Sequence, residues 1–448
     1  MTIMRNIRLA AFALISATCL AACGISPLSA QSQAEPPAPD ASRNATENDD
    51  GSAKPLVGPA PSEEAEAKSP DRPAHAGEPV PATTGPVMLR VATWGGAYAQ
   101  AQAIAFFEPF GRQSGHIVET LVHDGSYDAL AAQAERKPTW DVADLSAAIA
   151  RRACDAGLIE TIDAAQLGAE PADFIPGALM PCGIGSVAWS ALVVFNADRF
   201  AKRPPGSLRD MFNLKSFPGK RSLPNGPRYT LELALLADGV EPANVYPVLE
   251  TAEGQVRALN MLNQIKAEII WWNDASEPVA RVASSEAAFG LGFNGRAFHA
   301  IAAERQPLRL IWDGQMYDLD YWVLPKAGAN RQAALDFLRF VTAPERLAEQ
   351  ARWLPYGPVR LSALGMVGKH AEVDIEMMPY LPTAAENFRR ALRFDSAWWD
   401  ANEKKIRPRF DAWRDGKPYD LSAFDADGVP PPDAGDKQPQ TDTAPARQ

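Results

Sequence analysis

The stretch Met88-Leu89-Arg90-Val91-Ala92-Thr93-Trp94-Gly95-Gly96-Ala97-Tyr98 decides the fold class of this 448-residue chain. Six strand-like residues run into a paired-glycine turn, and an Ala-rich helical spacing over 98–107 follows. That is one βα unit, and the unit recurs. Residues 117–122 read as a strand and 127–136 as a helix, with Leu130, Ala131 and Ala134 sharing a face. Residues 140–145 are again a strand, followed by a helix that Gly157 stops. A β-branched run covers 187–195, and a helix over 230–236 ends at Asp238-Gly239. Further strands fall at 269–272, 288–293 and 308–312, and helices at 331–341, 344–352 and roughly 399–413. Repeated βα units imply mostly parallel sheets flanked by helices. Residues 87–424 exceed one comfortable core. The expected architecture is therefore α/β in two lobes, each a mostly parallel sheet flanked by helices, with a ligand cleft between them.

The flanks are of another character. Residues 31–86 carry 11 Pro, a net charge of −6 and no Phe, Trp or Tyr, whereas all 11 Trp lie between 94 and 413. Without aromatic residues such a stretch cannot bury enough surface to offset chain entropy, so it reads as a disordered tether. As a flexible coil it would reach on the order of 40 Å. Residues 425–448, with Pro430-Pro431-Pro432 and a net charge of −3, read as a frayed tail. The whole chain is at −11 and offers no basic surface, which excludes nucleic acid as a partner. At the other end, Arg5 and Arg8 flank or precede the apolar run Leu9-Ala10-Ala11-Phe12-Ala13-Leu14-Ile15, a secretory signal too short to span a bilayer. Leu20-Ala21-Ala22-Cys23 resembles the bacterial lipoprotein cleavage box, in which the Cys23 thiol would be lipidated. Ordinary cleavage near Leu28-Ser29-Ala30 is the alternative. Both readings export the protein.

Of the four cysteines, Cys154 and Cys182 lie in the globule, and in an oxidising compartment one disulfide between them is expected. Two free buried thiols are the alternative. Neither a CxxC nor a Cys/His metal spacing is present, and HExxH, GxSxG and Walker-A patterns are absent. No catalytic residue, metal or cofactor is therefore assigned. Four clusters stand at strand ends. Trp94-Gly95-Gly96 offers a flat ring and close backbone approach at the carboxyl end of a strand, where ligands of open α/β sheets sit. Trp271-Trp272-Asn273-Asp274, with Glu277 beyond, could box a cation; core packing is the plainer reading of either Trp. Phe293-Asn294-Gly295-Arg296 is a third such turn. In Tyr317-Asp318-Leu319-Asp320-Tyr321-Trp322 the period of two puts both acids on one face, either holding an amine or lining a solvated edge strand.

The core is similar to the solute-binding proteins of bacterial ABC importers, in the subfamily of spermidine/putrescine binders, over nearly all of 87–424. The stretches that carry the resemblance are Ala92-Thr93-Trp94-Gly95-Gly96, Trp140-Asp141-Val142-Ala143-Asp144-Leu145, Cys154-Asp155-Ala156-Gly157-Leu158, Cys182-Gly183-Ile184-Gly185 and residues 231–240. Phe293-Asn294-Gly295-Arg296, residues 320–326 and Pro355-Tyr356-Gly357-Pro358 follow in order. The resemblance implies two lobes joined by crossing strands and closing on one solute without chemistry. It divides the chain into a signal over 1–23, a tether over 24–86, lobe 1 over 87–192 and lobe 2 over 193–295. A return to lobe 1 over 296–342, C-terminal helices over 343–424 across lobe 2 and the hinge, and the tail 425–448 complete it.

By position the resemblance puts Trp94, Tyr98, Ser146, Glu232, Phe293, Asp320 and Tyr356 near the cleft, with Trp272 and Glu277 beside them. Glu277 stands where the family has Gln, which favours a cation. Arg296 would repel a polyamine and attract a carboxylate. Two ligand classes follow: a spermidine- or putrescine-like amine, the main expectation, and an amino acid with a distant amine such as 4-aminobutyrate. The expected protein is a monomer in the periplasm that hands its amine to an inner-membrane ABC permease and touches a membrane only through its lipid. An exported α/β enzyme and a sensor or adaptor are the competing readings.

Overall fold

The structure, a computed structural model, describes residues 85–135, 139–326 and 328–421. The signal with Cys23, nearly all of the tether and the tail lie outside them. In chain order the first lobe opens with β1 (Met88–Thr93), α1 (Gly96–Gln102), α2 (Glu108–Ser114), β2 (Ile117–Val122), α3 (Tyr127–Glu135), β3 (Val142–Ser146) and α4 (Ala147–Asp155). After β4 (Leu179–Met180), the 14-residue β5 (Gly183–Asn196) leaves for the second lobe. There the chain builds β6 (Lys220–Pro224), α5 (Thr230–Ala237), α6 (Val245–Leu249), α7 (Ala252–Asn263), β7 (Ile269–Trp272), α8 (Glu277–Ala283), β8 (Ala287–Phe293) and α9 (Asn294–Ala302). The 16-residue β9 (Leu308–Val323) crosses back. Helices α10 (Arg331–Val341), α11 (Pro344–Ala351) and α12 (Leu361–Leu364), the short β10 (Leu392–Arg393) and α13 (Ser396–Arg414) follow.

The strands hydrogen-bond in the order β2-β1-β3-β9-β5-β8-β6-β7, with β10 on β9 and β4 on β5. Both wings, β2-β1-β3 and β8-β6-β7, are parallel, as βα units require. The joins between wings, β3–β9, β9–β5 and β5–β8, are antiparallel. The expected crossing strands are β5 and β9, which pair with each other across both lobes, so the two mostly parallel wings share one hydrogen-bonded ladder. Lobe 1 hangs on the last residues of β9 and lobe 2 on the second half of β5.

The ladder is interrupted twice. Gly185 pairs with Tyr321 and Val187 with Asp320, which leaves Ser186 as an extra residue on β5. Ala191 pairs with Met316 but Val193 with Ile311, so residues 312–315 leave the ladder opposite Leu192. Bulges of this kind bend a strand and re-aim side chains. Gln315 secures the second excursion by donating to the carbonyls of Pro382 (2.8 Å) and Asn387 (2.7 Å).

Each wing closes over its own apolar core. In lobe 1, Phe106, Leu130, Trp322 and Phe337 are fully buried; in lobe 2, Phe289, Trp399, Phe410 and Trp413 are. Two boundaries differ from the expectation. Helix α9 packs on lobe 2, through Ala297 and Ala300 against Val279 and Val282, so the return to lobe 1 runs along β9 and not from residue 296. Leu347, Ala348 and Ala363 of α11 and α12 join the lobe 1 core, and of the C-terminal helices α13 alone covers lobe 2. Cys154 at the end of α4 and Cys182 before β5 are disulfide-bonded, with Cα atoms 5.7 Å apart, and both belong to lobe 1.

Candidate functional site: a cleft with buried acids

The lobe 1 wall starts at the turn after β1. Gly95 (φ 83°) and Gly96 (φ 58°) swing the chain into α1 and leave Trp94 on the His123 ring, with centroids 4.7 Å apart. Beneath it, Gly125 has φ 72°, and a Cβ there would lie 2.2 Å from the indole. Gly125 donates its N–H to His123 Nδ1 (2.8 Å), so Nε2 carries the ring proton and donates to the Asp144 carbonyl oxygen (2.8 Å). Tyr98 and Gln102, one turn apart on α1, both reach Asp144. The Tyr98 hydroxyl (2.7 Å) and Gln102 Nε2 (2.8 Å) donate to Oδ2, and the bulged Ser186 donates to Oδ1 (2.8 Å). Thr93 orients the Gln102 amide by donating to its oxygen (2.6 Å). Burial lifts the Asp144 carboxyl to about 6, against the three donors that favour its anion.

The floor is β9. Asp318 and Asp320 share a face and are buried; they pair in register with Trp189 and Val187 of β5, and Asp320 also faces Ser146 of β3. With partners on both sides, β9 is a central strand, which removes the solvated-edge reading of these acids. Asp320 accepts one hydrogen bond, from Trp189 Nε1 at 3.3 Å. Burial, then the charges of Asp144 and Asp318, push its carboxyl well above the usual range. Asp318 accepts the Leu319 N–H (2.8 Å) and is raised by burial to about 7. Among the described residues, no Lys or Arg forms an ion pair with any of the three. Buried carboxylates without a counter-ion are costly, and a cationic partner lowers that cost.

Aromatic rings continue the wall into lobe 2. Trp189 meets Phe293 edge-on (5.7 Å), and Phe293 meets Tyr229 (6.0 Å) and Trp272 (6.5 Å). Tyr98 meets Tyr356 at 5.8 Å. Asn294 fixes the approach of the two segments: it accepts the Ser190 N–H (2.8 Å) and donates to the Pro355 carbonyl (2.7 Å). Gly295 then leaves room for the Tyr356 hydroxyl, 2.9 Å from where a Cβ would stand. Three buried donors here lack a hydrogen-bond partner: Trp94 Nε1, Trp272 Nε1 and Arg296 Nε.

Of the residues singled out in the sequence, Trp94, Tyr98, Trp272, Phe293, Asp320 and Tyr356 join this network of rings and acids, and Ser146 stands opposite Asp320. Arg296 follows Phe293 in the first turn of α9. Two acids are engaged elsewhere. Glu232, raised by burial to about 7, accepts from Trp399 Nε1 and the Tyr246 hydroxyl and so ties α5 to α13. Glu277 accepts the N–H groups of Asp274 (2.9 Å) and Asn273 (3.1 Å) and pairs with Arg281; these bonds hold its carboxyl below the ordinary range and close the turn before α8. Sequence reading missed Asp144, Gln102, Ser186 and Trp189 as members of the site. Asp144 had one signal, an acid set between Ala143 and Leu145 inside a strand.

Residues 106–378 match the family described as bacterial extracellular solute-binding protein. The gamma-aminobutyric acid-binding protein of Pseudomonas aeruginosa is 35% identical over 326 residues, which are 72% of this chain and 90% of that protein. A solved structure described as the Atu4243-GABA receptor has 28% identity and a TM-score of 0.59, covering 73% of this chain and 97% of its own. The spermidine/putrescine substrate-binding protein PotD of Streptococcus pneumoniae, at 18% identity and a TM-score of 0.59 over 73% of this chain and 99% of its own, shares the fold.

Proposed function

The chain belongs to the bacterial extracellular solute-binding proteins, the extracytoplasmic components that deliver a small solute to a membrane permease, and from that premise we propose that its solute is an amino acid of the 4-aminobutyrate class. One observation carries the reading: among the described residues, the cleft sets a buried acid face that forms no ion pair beside buried donors that lack an acceptor. Asp320, backed by Asp144, would take the ammonium. Arg296 and Trp272 would take the carboxylate, whose charge-assisted bonds satisfy their orphaned N–H groups. Tyr98, Phe293 and Tyr356 would cover the methylenes between. The similarity to a protein named for gamma-aminobutyric acid supports this reading over the polyamine expected from sequence. A di- or polyamine is the second reading, and Asp318 favours it, since a second cationic end would use a third acid.

A titration followed by Trp fluorescence separates the two. The protein, stripped of carried-over ligand, should saturate with 4-aminobutyrate and not with putrescine or spermidine. Arg296→Ala should weaken 4-aminobutyrate by ~1.5–3 kcal/mol, the scale of a charged hydrogen bond, and leave putrescine no weaker. Tighter binding of putrescine than of 4-aminobutyrate by the unaltered protein would overturn the amino-acid reading.

A further inference from the structure

The three acids of the cleft pose a charge problem that the solute alone does not solve, because the protein must also exist without it. Asp144, Asp318 and Asp320 are buried side by side on β3 and β9, and a low-dielectric interior does not hold three like charges. The groups that face them are few. Tyr98 comes from α1, Ser186 and Trp189 from β5, and His123 from the turn after β2, with its ring proton on the Asp144 main chain and not on the carboxylate. Arg151 of α4, Arg393 of β10 and Asp395 act on Asp318, whereas the charges acting on Asp320 are the two other carboxylates. The hydrogen bonds divide the labour. Three donors converge on Asp144 and solvate its anion; Asp320 receives a single indole N–H.

We propose that this protein takes up its amine by exchange: Asp320, a neutral carboxylic acid in the empty cleft, loses its proton to bulk water as the ligand ammonium arrives. The net charge of the acid face with its ammonium is then the same as that of the empty acid face, while the ligand carboxylate is met separately at Arg296 and Trp272. This rests on the amine-binding reading above and deepens it. One O–H bond is broken at Asp320, the proton is taken by water or buffer, and an ion pair replaces it. The ammonium of 4-aminobutyrate resembles a lysine amine, with an ordinary value near 10, so it stays charged at neutral pH and the titrating group belongs to the protein. Release of one proton makes affinity rise with pH, by up to about tenfold per unit.

Calorimetric titration with 4-aminobutyrate at about pH 6.5, in phosphate and in Bis-Tris, counts the protons. The expected result is a heat difference that corresponds to release of up to one proton per ligand, together with a dissociation constant lower at pH 7 than at pH 6 by up to about tenfold. In Asp320→Asn the proton count should fall to near zero. Saturation with identical heats in both buffers would overturn the exchange and leave the ligand assignment intact. Failure of 4-aminobutyrate to bind would instead remove the ligand assignment. The exchange is then decided on the empty protein by carboxyl-carbon NMR of its aspartates: a resonance that titrates above pH 6 and vanishes in Asp320→Asn supports it, and the absence of one overturns it.

Discussion

Gly125 is the position where one added carbon reaches furthest into the site. Its φ of 72° is one that L side chains avoid, and the space a Cβ needs is filled by the Trp94 ring. Gly125→Ala should therefore push Trp94 off His123. Affinity for 4-aminobutyrate is expected to fall about tenfold, the thermal midpoint by several degrees, and the ligand-induced change in Trp fluorescence to shrink; unchanged binding would show that Trp94 takes no part. Trp94 had a local signal, a paired-glycine turn at the carboxyl end of a strand where an α/β sheet collects its ligands; Tyr98 and Asp320 were named through the family resemblance, Asp320 with the period-two spacing of its stretch beside it. Ser186 was not. Its role comes from a register slip against β9, and nothing in Gly185-Ser186-Val187 announces an extra residue. Glu232 misled for a related reason. It is buried as expected of a site acid, but its partner Trp399 stands 167 residues away on a helix whose docking no local pattern specifies.

Among the elements, β5 and β9 do most to shape the molecule, and β9 was the hardest to read. Residues 308–312 read as one strand and the period-two stretch 317–322 as another. The structure keeps Gly314 at φ 71° but holds residues 312–315 as an excursion within one 16-residue strand, pinned by Gln315. The helices, in contrast, followed their apolar spacing closely, and α13 extends only three residues before and one beyond the expected 399–413. The disulfide belongs to this scale. It closes a loop between α4 and β5 inside lobe 1 and crosses no boundary between lobes. A loop of that length stabilises by ~3–4 kcal/mol on the chain-entropy model. Cys154→Ser, or reductant, should lower the thermal midpoint by roughly 5–10 °C and leave the dissociation constant of 4-aminobutyrate unchanged. A change in affinity without a change in melting would contradict a purely structural role.

For the molecule as a whole, the buried acids set how stability varies with pH. Asp144, raised to about 6, and Asp318 and Glu232, raised to about 7, are near 4 in an unfolded chain. Between those values the folded state binds more protons than the unfolded one. The stabilisation they confer is complete below about pH 4 and is lost as pH rises through 6 to 7. The melting temperature of the empty protein should accordingly fall from about pH 5 to pH 7.5. Added 4-aminobutyrate should raise it most at the upper end, where its ammonium meets ionised partners. A midpoint that is flat across this range, with or without ligand, would mean that water reaches these carboxyls in solution. The two long strands carry a mechanical consequence as well. Asp320 sits on β9, which starts at Leu308 against lobe 2 and ends at Val323 in the core of lobe 1, so whatever the acid holds is borne by a strand that both lobes grip.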